Sequence, residues 1–386
     1  MKKILYVTGS RAEYGIMKRL LIALKSSNQI NLSLVATGMH CDEKYGLTYK
    51  NIERDGFKID KLIPIDLDST SNAGILHSMA ICQDEFGRFL QKNRFDAIIL
   101  LGDRYEIFSV AIAAAIHGIP IIHLHGGEKT LGNYDEFIRH SITKMSSLHL
   151  ASTDEYRNRI IQMGEHPDTV FNIGALGAEN SLLMELPGKS DLEKRFCPLD
   201  KPYFVVVFHP ETLARTSLTK QIDELLAGID VFTEKYNFIF IGSNSDTGSN
   251  IIFKKFSDFC NERKMKFITS VKPEEYLALM KYSQGLIGNS SSGLIEAPSL
   301  RIPTINIGDR QKGRVRGNSV IDCECKKEDI CQAIRLSQSI DSWERLGSMV
   351  NPYYQDKVLE KAISIINSFL ESSNKQYKDF YDLQLD

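Results

Sequence analysis

The chain has 386 residues, 42% of them hydrophobic and 25% charged, which is typical of a soluble globular protein with two domains. Its formal net charge of -2 gives no general attraction to nucleic acid or to anionic membranes, so neither is expected as a partner. Seven cysteines are scattered without a CxxC pair or a zinc-like spacing, which favours reduced thiols and excludes a disulfide framework.

The N-terminal stretch "MKKILYVTGSRAEYG" has two lysines followed by only four apolar residues. A signal peptide needs a longer apolar stretch and a small-residue cleavage site. No apolar run in the sequence approaches 18 residues, the length that a membrane-spanning helix requires. We therefore expect a cytoplasmic protein without a membrane span.

Residues 1–172 alternate between short apolar runs and segments of helical periodicity. The predicted strands are "KKILYVTG", "INLSLVATG", "FDAIILLGD", "IPIIHLHGGE" and the end of "DEFIRHSITKMSSLHLAS". Helices are predicted between them, including one over "EKYGLTYKNIERDG". This alternation predicts a parallel sheet with helices on both faces, that is, a Rossmann-like domain.

The pattern loosens over about residues 173–202 and then restarts with the strand "YFVVVFHPE". Residues 173–364 are predicted to form a second Rossmann-like domain. Residues 365–386 are assigned to a C-terminal helix and tail, which could pack on either half, the first being preferred. The expected fold class is α/β, with two doubly wound parallel-sheet domains facing a cleft.

Ligands of open parallel sheets bind beyond the carboxyl ends of the strands, so the loops there are the candidate site. In "TGSRAEYG", Gly9 allows a tight turn, and the following helix start is expected to offer free backbone N–H groups. Arg11 adds a fixed positive charge and favours a phosphate contact over a solvated arginine. In "LLGDRYE", Asp103 directly follows a strand, and a catalytic role and a helix N-cap role both remain open.

The stretch "IIHLHGGEKTLGNYDEFIRH" is rich in acids and histidines. His123 is interpreted as a core histidine and His125 as the more functional of the two, because it lies nearer the loop. Acids beside histidines suit proton transfer when burial tunes their pKa values. No HExxH or similar spacing is present, so we expect no metal. The candidate residues of this loop are Glu128, Asp135, Glu136 and Arg139.

Three loops of the second half carry anion-friendly residues. His209 is followed by Pro210, which ends a central strand and places the imidazole at the cleft edge as a phosphate or oxyanion donor. "GNSSSGLIEAPSL" does not fit GxSxG, and no histidine follows His209, so a serine nucleophile is not expected. The serines instead predict an anion cradle over residues 290–293, with Glu296 as an acceptor for ribose hydroxyls.

The last candidate loop is "GDRQKGRVRG", which follows another predicted strand. Its basic residues include Arg310 and Arg314. A basic run is often a solvated face, but its place at the sheet edge beside the serines favours an anionic ligand. Two phosphate-friendly loops, one from each half, therefore face each other, which fits a nucleotide-linked substrate between two domains.

Taken together and in order, these motifs, with "FNIGALGAEN", resemble the hydrolysing UDP-N-acetylglucosamine (UDP-GlcNAc) 2-epimerases of bacterial sialic acid and polysialic acid capsule synthesis. The resemblance covers nearly the whole chain. It implies the two-Rossmann-domain arrangement of GT-B glycosyltransferases, a homodimer and no cofactor. The implied reaction converts UDP-GlcNAc and water to N-acetylmannosamine and UDP.

The resemblance also implies roles for individual residues. Arg11, His209 and Ser290–Ser292 match diphosphate contacts, and Glu296 matches a ribose ligand. Many relatives carry Glu where this chain has His125, which leaves open whether His125 or Glu128 takes that role. The full expected site comprises the catalytic candidates Asp103, His125, Glu128, Asp135 and His209, and the binding candidates Arg11, Glu136, Arg139, His209, Ser290, Ser291, Ser292, Gly293, Glu296, Arg310 and Arg314.

Three alternative functions remain open on the sequence. The first is the same hydrolysing epimerisation on UDP-2,4-diacetamido-trideoxyhexose, as in legionaminic acid synthesis. The second is a GT-B glycosyltransferase, which would share the anion cradle but need an acceptor. The third is a non-catalytic nucleotide-sugar sensor, against which the dense acidic loops argue.

Overall fold

The secondary structure follows the predicted alternation of strands and helices. A computed structural model describes residues 1–214, 216–339, 344, 346–372 and 378–384. The strands are rich in Ile, Val and Leu and are mostly buried along their length, as expected for parallel strands covered by helices on both faces.

A first parallel sheet is formed by residues 2–172. Its strands are β1 (Lys2–Thr8), β2 (Ile30–Thr37), β3 (Lys61–Ile63), β4 (Ala97–Leu101), β5 (Ile121–Leu124), β6 (Leu148–Ala151) and β7 (Val170–Asn172). The helices are α1 (Arg11–Lys25), α2 (Tyr49–Arg54), α3 (Asn72–Lys92), α4 (Tyr105–Ile116), α5 (Asp135–Met145) and α6 (Asp154–Gln162), with 3₁₀ turns at Gly38–Cys41, Glu43–Tyr45 and Pro167–Thr169. The strand order is β3-β2-β1-β4-β5-β6-β7.

A connecting segment and a second parallel sheet follow. The connection contains α7 (Leu176–Leu183) and α8 (Lys189–Arg195). The strands are β8 (Tyr203–Val207), β9 (Asn237–Ile241), β10 (Lys266–Ile268), β11 (Leu286–Gly288), β12 (Thr304–Ile307) and β13 (Val320–Cys323), in the order β10-β9-β8-β11-β12-β13. The helices are α9 (Leu218–Asp230), α10 (Ser249–Arg263), α11 (Pro273–Lys281), α12 (Ser292–Ile295), α13 (Lys327–Ser337) and α14 (Val358–Glu371).

Both sheets have the strand order of a Rossmann fold, which confirms the predicted fold class. In such a sheet the strand order reverses between the first and fourth strands, and a crevice opens beyond their carboxyl ends. These points lie between β1 and β4 in the first sheet and between β8 and β11 in the second. The loops after these four strands are four of the candidate loops predicted from the sequence, and the other two follow β5 and β12.

Helix α14 packs on the first sheet although it follows the second in the chain. Its buried residues Val358, Ala362 and Ile366 join the same apolar cluster as Leu20 and Leu24 of α1. The predicted boundary between residues 364 and 365 falls inside this helix. The domain limits 1–172, 173–364 and 365–386 otherwise stay predictions.

The first half differs from the prediction in two of its helices. The helix expected over "EKYGLTYKNIERDG" is reduced to a 3₁₀ turn and α2, because Gly46 and Leu47 adopt left-handed φ angles of 87° and 46° that end helical geometry. Helix α3, with 21 residues, was not predicted. Among the helices described, none combines the length and the apolar character that a membrane crossing requires.

Candidate active site

A cleft lies between the two domains, where the carboxyl edges of their sheets face each other. The cleft therefore unites loops that are distant in the chain. Its lining includes the predicted residues Arg11, His209, Ser290, Ser291, Ser292, Glu296 and Arg310.

The loop after β1 presents the side chain of Arg11, and the two backbone N–H groups that precede it are occupied within the protein. The Glu13 carboxylate accepts hydrogen bonds from the N–H groups of Gly9 and Ser10, at 2.8 and 2.9 Å. Glu13 therefore occupies the N–H groups of the turn before α1, and the expectation of free donors stays a prediction for the first residues of the helix itself, Arg11 and Ala12. Burial lowers the pKa of Arg11 to about 10, so its guanidinium is still charged at neutral pH.

His209, in the loop after β8, is fixed on both sides. The Asn289 side chain accepts from its backbone N–H at 2.7 Å and donates to its carbonyl at 2.9 Å. The backbone N–H of Asn244 donates to Nδ1 at 3.3 Å. Burial, followed by nearby arginines led by Arg310, holds the pKa of His209 well below its usual value. The imidazole is therefore neutral, and its proton lies on Nε2, which can donate to an anion.

The serine loop after β11 lies beside Tyr276 of α11. The Tyr276 hydroxyl faces Ser290 and Ser292, and burial raises its pKa to about 12. It therefore remains a donor at neutral pH. The carbonyl of Asn289, which precedes these serines, accepts from Arg310 at 3.1 Å. Hydroxyl and guanidinium donors thus converge on one wall of the cleft.

Glu296 follows the short helix α12 and is 6% exposed. Burial raises the pKa of its carboxyl to about 7. Within the described part of the chain its Oε2 has no hydrogen-bond partner, although the side chain reaches the cleft. Gly177 of α7 lies so close to Oε1 that a Cβ atom there would collide with it. This geometry leaves one carboxylate oxygen available to ligand hydroxyls.

Asp103, after β4, is bound to Arg139 of α5. The N-cap of α4 is Arg104, so the alternative of Asp103 as an N-cap is not observed. Arg139 has no exposed surface, and it also donates to the Glu128 carbonyl at 3.0 Å and to Thr130 Oγ1 at 3.1 Å. Arg139 therefore positions Asp103 and the loop after β5, while Asp103 keeps 20% of its side chain exposed.

His125 and Glu128 form one hydrogen-bonded pair, with 3.0 Å between Nδ1 and Oε1. Glu128 Oε1 also accepts from Ser152 at 3.1 Å, and Oε2 pairs with Arg314 at 2.6 Å. Burial alone would raise the pKa of Glu128, but Arg314 and His125 together hold it below its usual value. Because both oxygens of Glu128 are engaged, it is an anchored anion that orients His125, whose own φ of 63° is left-handed.

Asp135 is the first residue of α5 and is 8% exposed. Asn133 donates to its Oδ2 at 3.2 Å, and Arg310 of the second domain lies 3.7 Å from the same oxygen. Burial and then the charge of Asp246 raise its pKa above the usual value, and Arg310 opposes this shift. Asp135 is therefore a carboxyl group of this loop whose pKa is raised, whereas those of Glu128 and Glu136 are lowered.

Two predicted binding residues lie within the scaffold, as Arg139 does. Gly293 packs against β12, where Thr304 Oγ1 donates to its carbonyl at 2.8 Å. Glu136 accepts from the N–H of Thr130 and also lies 3.5 Å from Arg139. These contacts hold the loops around the cleft in position, so Gly293 and Glu136 have a structural role there.

Several residues around the site were not selected from the sequence. Tyr276 occurs at helical spacing and resembles an ordinary core aromatic, although its helix follows β10 at the ligand edge. Asn289 directly precedes the serines but was interpreted only as part of the turn. The missed residues are Arg104, Asn244, Asp246, Tyr276 and Asn289, and the signal that could have found them is their place immediately after strands or at the start of a helix.

Comparison with known proteins supports the relationship that the motifs suggested. Residues 22–367 match the sequence profile of the UDP-N-acetylglucosamine 2-epimerase family. The polysialic acid biosynthesis protein P7 of Escherichia coli is 59% identical over 383 residues, which are 99% of this chain and 98% of that protein. The GDP/UDP-N,N'-diacetylbacillosamine 2-epimerase (hydrolyzing) of Campylobacter jejuni is 39% identical over 341 residues, 88% of each chain.

A solved structure has the same fold at much lower sequence identity. The UDP-GlcNAc 2-epimerase from Neisseria meningitidis bound to UDP-GlcNAc superposes with a TM-score of 0.79 at 18% identity, covering 95% of this chain and 100% of that chain. This similarity confirms the GT-B-like arrangement of the two domains. The profile match spans most of the chain, and the sequence relatives cover nearly all of it. The chain therefore belongs to the UDP-N-acetylglucosamine 2-epimerase family.

Proposed function

We propose that this protein is a hydrolysing UDP-GlcNAc 2-epimerase, which converts UDP-GlcNAc and water to N-acetylmannosamine and UDP. One observation carries the proposal. Anion donors from both domains line an interdomain cleft, and Arg310 of this lining lies 3.7 Å from Asp135, which belongs to the acidic loop of the first domain. A nucleotide sugar needs anion donors around its diphosphate and carboxyl groups around its sugar ring.

The nucleotide diphosphate binds to the donors on the cleft walls. Arg11 and the Nε2–H of His209 approach the phosphates from the two domains, and the hydroxyls of Ser290–Ser292 complete the contacts. Glu296 accepts hydrogen bonds from the ribose hydroxyls. Because the charge on the departing diphosphate grows during bond cleavage, fixed donors that already point at it lower the barrier.

The first chemical step is an elimination. An ionised side chain removes the proton from C2 of the sugar, and the C2–H electron pair becomes the C1=C2 double bond. The C1–O bond to UDP breaks, and its electrons remain on the diphosphate. The products of this step are UDP and 2-acetamidoglucal. Asp103 suits the role of base, because Arg139 holds it as an oriented carboxylate that remains partly exposed.

The second step adds water across the double bond. An acid donates a proton to C2 from the opposite face, which inverts that centre, and C1 gains the water oxygen. The proton that water loses passes to an ionised group of the site. Asp135 suits the acid, because its raised pKa favours the protonated form, and the His125–Glu128 pair suits the acceptor.

The relatives support the biological setting of this proposal. The 59% identical relative is named for polysialic acid biosynthesis, and the 39% identical relative is named as a hydrolysing 2-epimerase. We therefore assign the reaction to the supply of N-acetylmannosamine for sialic acid. A cytoplasmic homodimer without a cofactor remains part of this proposal.

A second candidate substrate is a 2,4-diacetamido sugar linked to UDP. It is favoured by the Campylobacter jejuni relative, whose name specifies N,N'-diacetylbacillosamine. The two candidates differ only in the substituents at C4 and C6, so the diphosphate contacts serve both. A side-by-side assay that measures kcat/KM for both nucleotide sugars distinguishes them.

The reaction is tested by NMR of the purified protein with UDP-GlcNAc in D2O. We expect free N-acetylmannosamine carrying deuterium at C2, since the proton that returns to C2 comes from a group exchanged with solvent. Accumulation of UDP-N-acetylmannosamine, instead of the free sugar, would contradict hydrolysis. Retained protium at C2 would contradict the elimination.

Two controls make this result specific. Unlabelled N-acetylmannosamine incubated with the protein and UDP in D2O measures any later exchange at C2. Samples stopped at low conversion then report only deuterium that was incorporated during turnover. A heat-inactivated sample gives the rate of the uncatalysed reaction.

A further inference from the structure

The loop after β5 contacts the second domain at two places. The backbone N–H of Leu213, in the loop after β8, donates to the Gly132 carbonyl at 3.1 Å. Gly132 also approaches the loop after β12, since a Cβ atom added to it would lie 3.0 Å from the Asp309 carbonyl oxygen. The acidic loop of the first domain is therefore packed directly against the loops of the second.

Asn133 and Thr212 exchange two hydrogen bonds across this contact. The backbone N–H of Thr212 donates to Asn133 Oδ1 at 2.9 Å. Thr212 Oγ1 in turn accepts from the backbone N–H of Tyr134 at 3.0 Å. Asn133 has no exposed surface, so water cannot take the place of these partners. Each domain thus supplies one side chain that binds the backbone of the other, and the pair forms only when the domains are in contact.

This contact also determines which atom of Asn133 faces Asp135. A backbone N–H only donates, so the Asn133 atom that meets Thr212 is the carbonyl oxygen, and the other branch is the amide nitrogen. That nitrogen donates to Asp135 Oδ2 at 3.2 Å, and Arg310 lies 3.7 Å from the same oxygen. Because both donors lie at Oδ2, the acid form of Asp135 favours its proton on Oδ1.

We propose that Asn133 is a positioning residue for the reaction: held by Thr212 of the second domain, its amide binds Oδ2 of Asp135 and leaves the proton for C2 on Oδ1. This inference rests on the proposed function and deepens it. In the hydration step Oδ1 gives its proton to C2, and Asn133 and Arg310 stabilise the carboxylate that remains. Thr212 belongs to the same loop as His209, so the loop that meets the diphosphate also aligns the acid.

The test compares Asn133→Ala with the wild type and follows both products of turnover by NMR. The variant keeps Asp135 but lacks the amide that binds Oδ2. Because Asp135 acts in the hydration step, 2-acetamidoglucal should accumulate, and UDP should exceed N-acetylmannosamine. We expect kcat for N-acetylmannosamine release to fall by roughly tenfold or more. UDP affinity, measured by calorimetry, should change by less than about threefold, because Asn133 has no surface exposed to the cleft.

Asn133→Asp tests the position of the proton and replaces the alanine variant if that one does not fold. Its carboxyl group still accepts from the Thr212 N–H but presents an oxygen to Asp135. The shared proton then lies between the two carboxyl groups instead of on Oδ1, so the same loss is expected. A folded variant with wild-type kcat and no 2-acetamidoglucal would overturn the proposal. Equal slowing of both products without 2-acetamidoglucal would also contradict it, as would an equal loss of UDP affinity.

Thr212→Val tests the contribution of the second domain, and Ser249→Ala is its control. Thr212→Val removes the acceptor for the Tyr134 N–H, and 2-acetamidoglucal should accumulate to a smaller extent because the Thr212 N–H is retained. Ser249→Ala removes another hydroxyl contact between the domains, to Ser69 at 3.1 Å, and should keep the wild-type product ratio. If Ser249→Ala accumulated as much 2-acetamidoglucal as Thr212→Val, domain contact in general would align the acid, which would contradict the proposal.

The failure of this inference is distinguishable from failure of the proposed function. Release of N-acetylmannosamine by the wild-type protein tests the function alone. If the wild type instead hydrolyses another nucleotide sugar, the same variants are compared with that substrate, and its own glycal is followed. The ratio of glycal to free sugar then still decides whether Asn133 acts through Asp135.

Discussion

The two domains place different side chains at equivalent positions of the same fold. After the first strand of each sheet the ligand-facing residue is Arg11 in one domain and His209 in the other. After the strand across the switch point the two domains carry Asp103 and Ser290. At these positions the first domain thus carries a guanidinium and a carboxyl group, and the second carries an imidazole and a hydroxyl.

The two domains also differ in the partners of their cleft side chains. Asp103 is held by Arg139, and Glu128 is held by Arg314, whose charge helps to hold the pKa of Glu128 below its usual value. In the second domain, His209 is kept neutral and Tyr276 protonated, which leaves their protons available as donors. One fold used twice therefore carries salt-bridged carboxyl groups in the first domain and neutral hydrogen-bond donors in the second, while Arg11 adds a charged guanidinium to the first.

The largest expected effect comes from removing a carboxylate of the first domain. Asp103→Asn eliminates the proposed base but preserves the size of the side chain. We expect kcat to fall by roughly 10²- to 10⁴-fold, because general acid–base groups contribute about that much. Turnover is measured by UDP release, and UDP affinity by calorimetry is expected to change by less than about threefold.

A surface residue provides the control for this substitution. Asp84→Asn changes an exposed carboxyl on α3 whose salt bridge to Arg88 lies outside the cleft. It should retain wild-type turnover. If Asp103→Asn were equally active, or if it lost UDP binding together with turnover, the division of work between the two domains would be wrong.

A smaller effect is expected from the second domain at Glu296. Burial raises the pKa of this carboxyl to about 7, so its charge develops as the pH rises through that value. Ribose hydroxyls donate more strongly to the ionised form. UDP affinity should therefore be greater at about pH 8 than at about pH 6, and Glu296→Gln should weaken binding at the higher pH by roughly tenfold or more.

The phosphate of UDP also titrates in this pH range. The effect of pH on Glu296 must therefore be separated from its effect on the nucleotide by comparing variants. Only the difference between wild type and Glu296→Gln is assigned to Glu296. Gly177→Ala keeps the carboxyl group of Glu296 but adds a Cβ atom that collides with its Oε1. The carboxyl group must then move, so UDP binding should weaken in this variant as well. Identical pH dependence in wild type and Glu296→Gln would exclude the carboxylate as the ribose ligand.

The positions of the site loops could be predicted because each directly follows a strongly apolar strand. Arg11, Asp103, His209 and the serines all lie at such points, and the parallel topology brings these points together. Local sequence also placed the start of α5 near Tyr134, as observed. Topology and strand ends were therefore sufficient to locate the cleft.

The partners of these residues could not be predicted, because they depend on contacts between distant parts of the chain. Asn289 fixes His209 across 80 residues, and Arg104 meets Asp246 across 142. Glu13 lies close in sequence to Gly9, yet a sequence pattern does not show that its carboxylate fills the N–H groups there. These side-chain contacts decide which residues touch a ligand and which, like Arg139, only position others.

We expect a nucleotide diphosphate to bind between the two domains with its sugar among the carboxyl groups of the first. A crystal structure of the protein with UDP tests this directly. The phosphates should lie within hydrogen-bonding distance of Arg11, His209 and the Ser290–Ser292 loop, with the ribose at Glu296. UDP bound at another surface, away from these residues, would contradict the account.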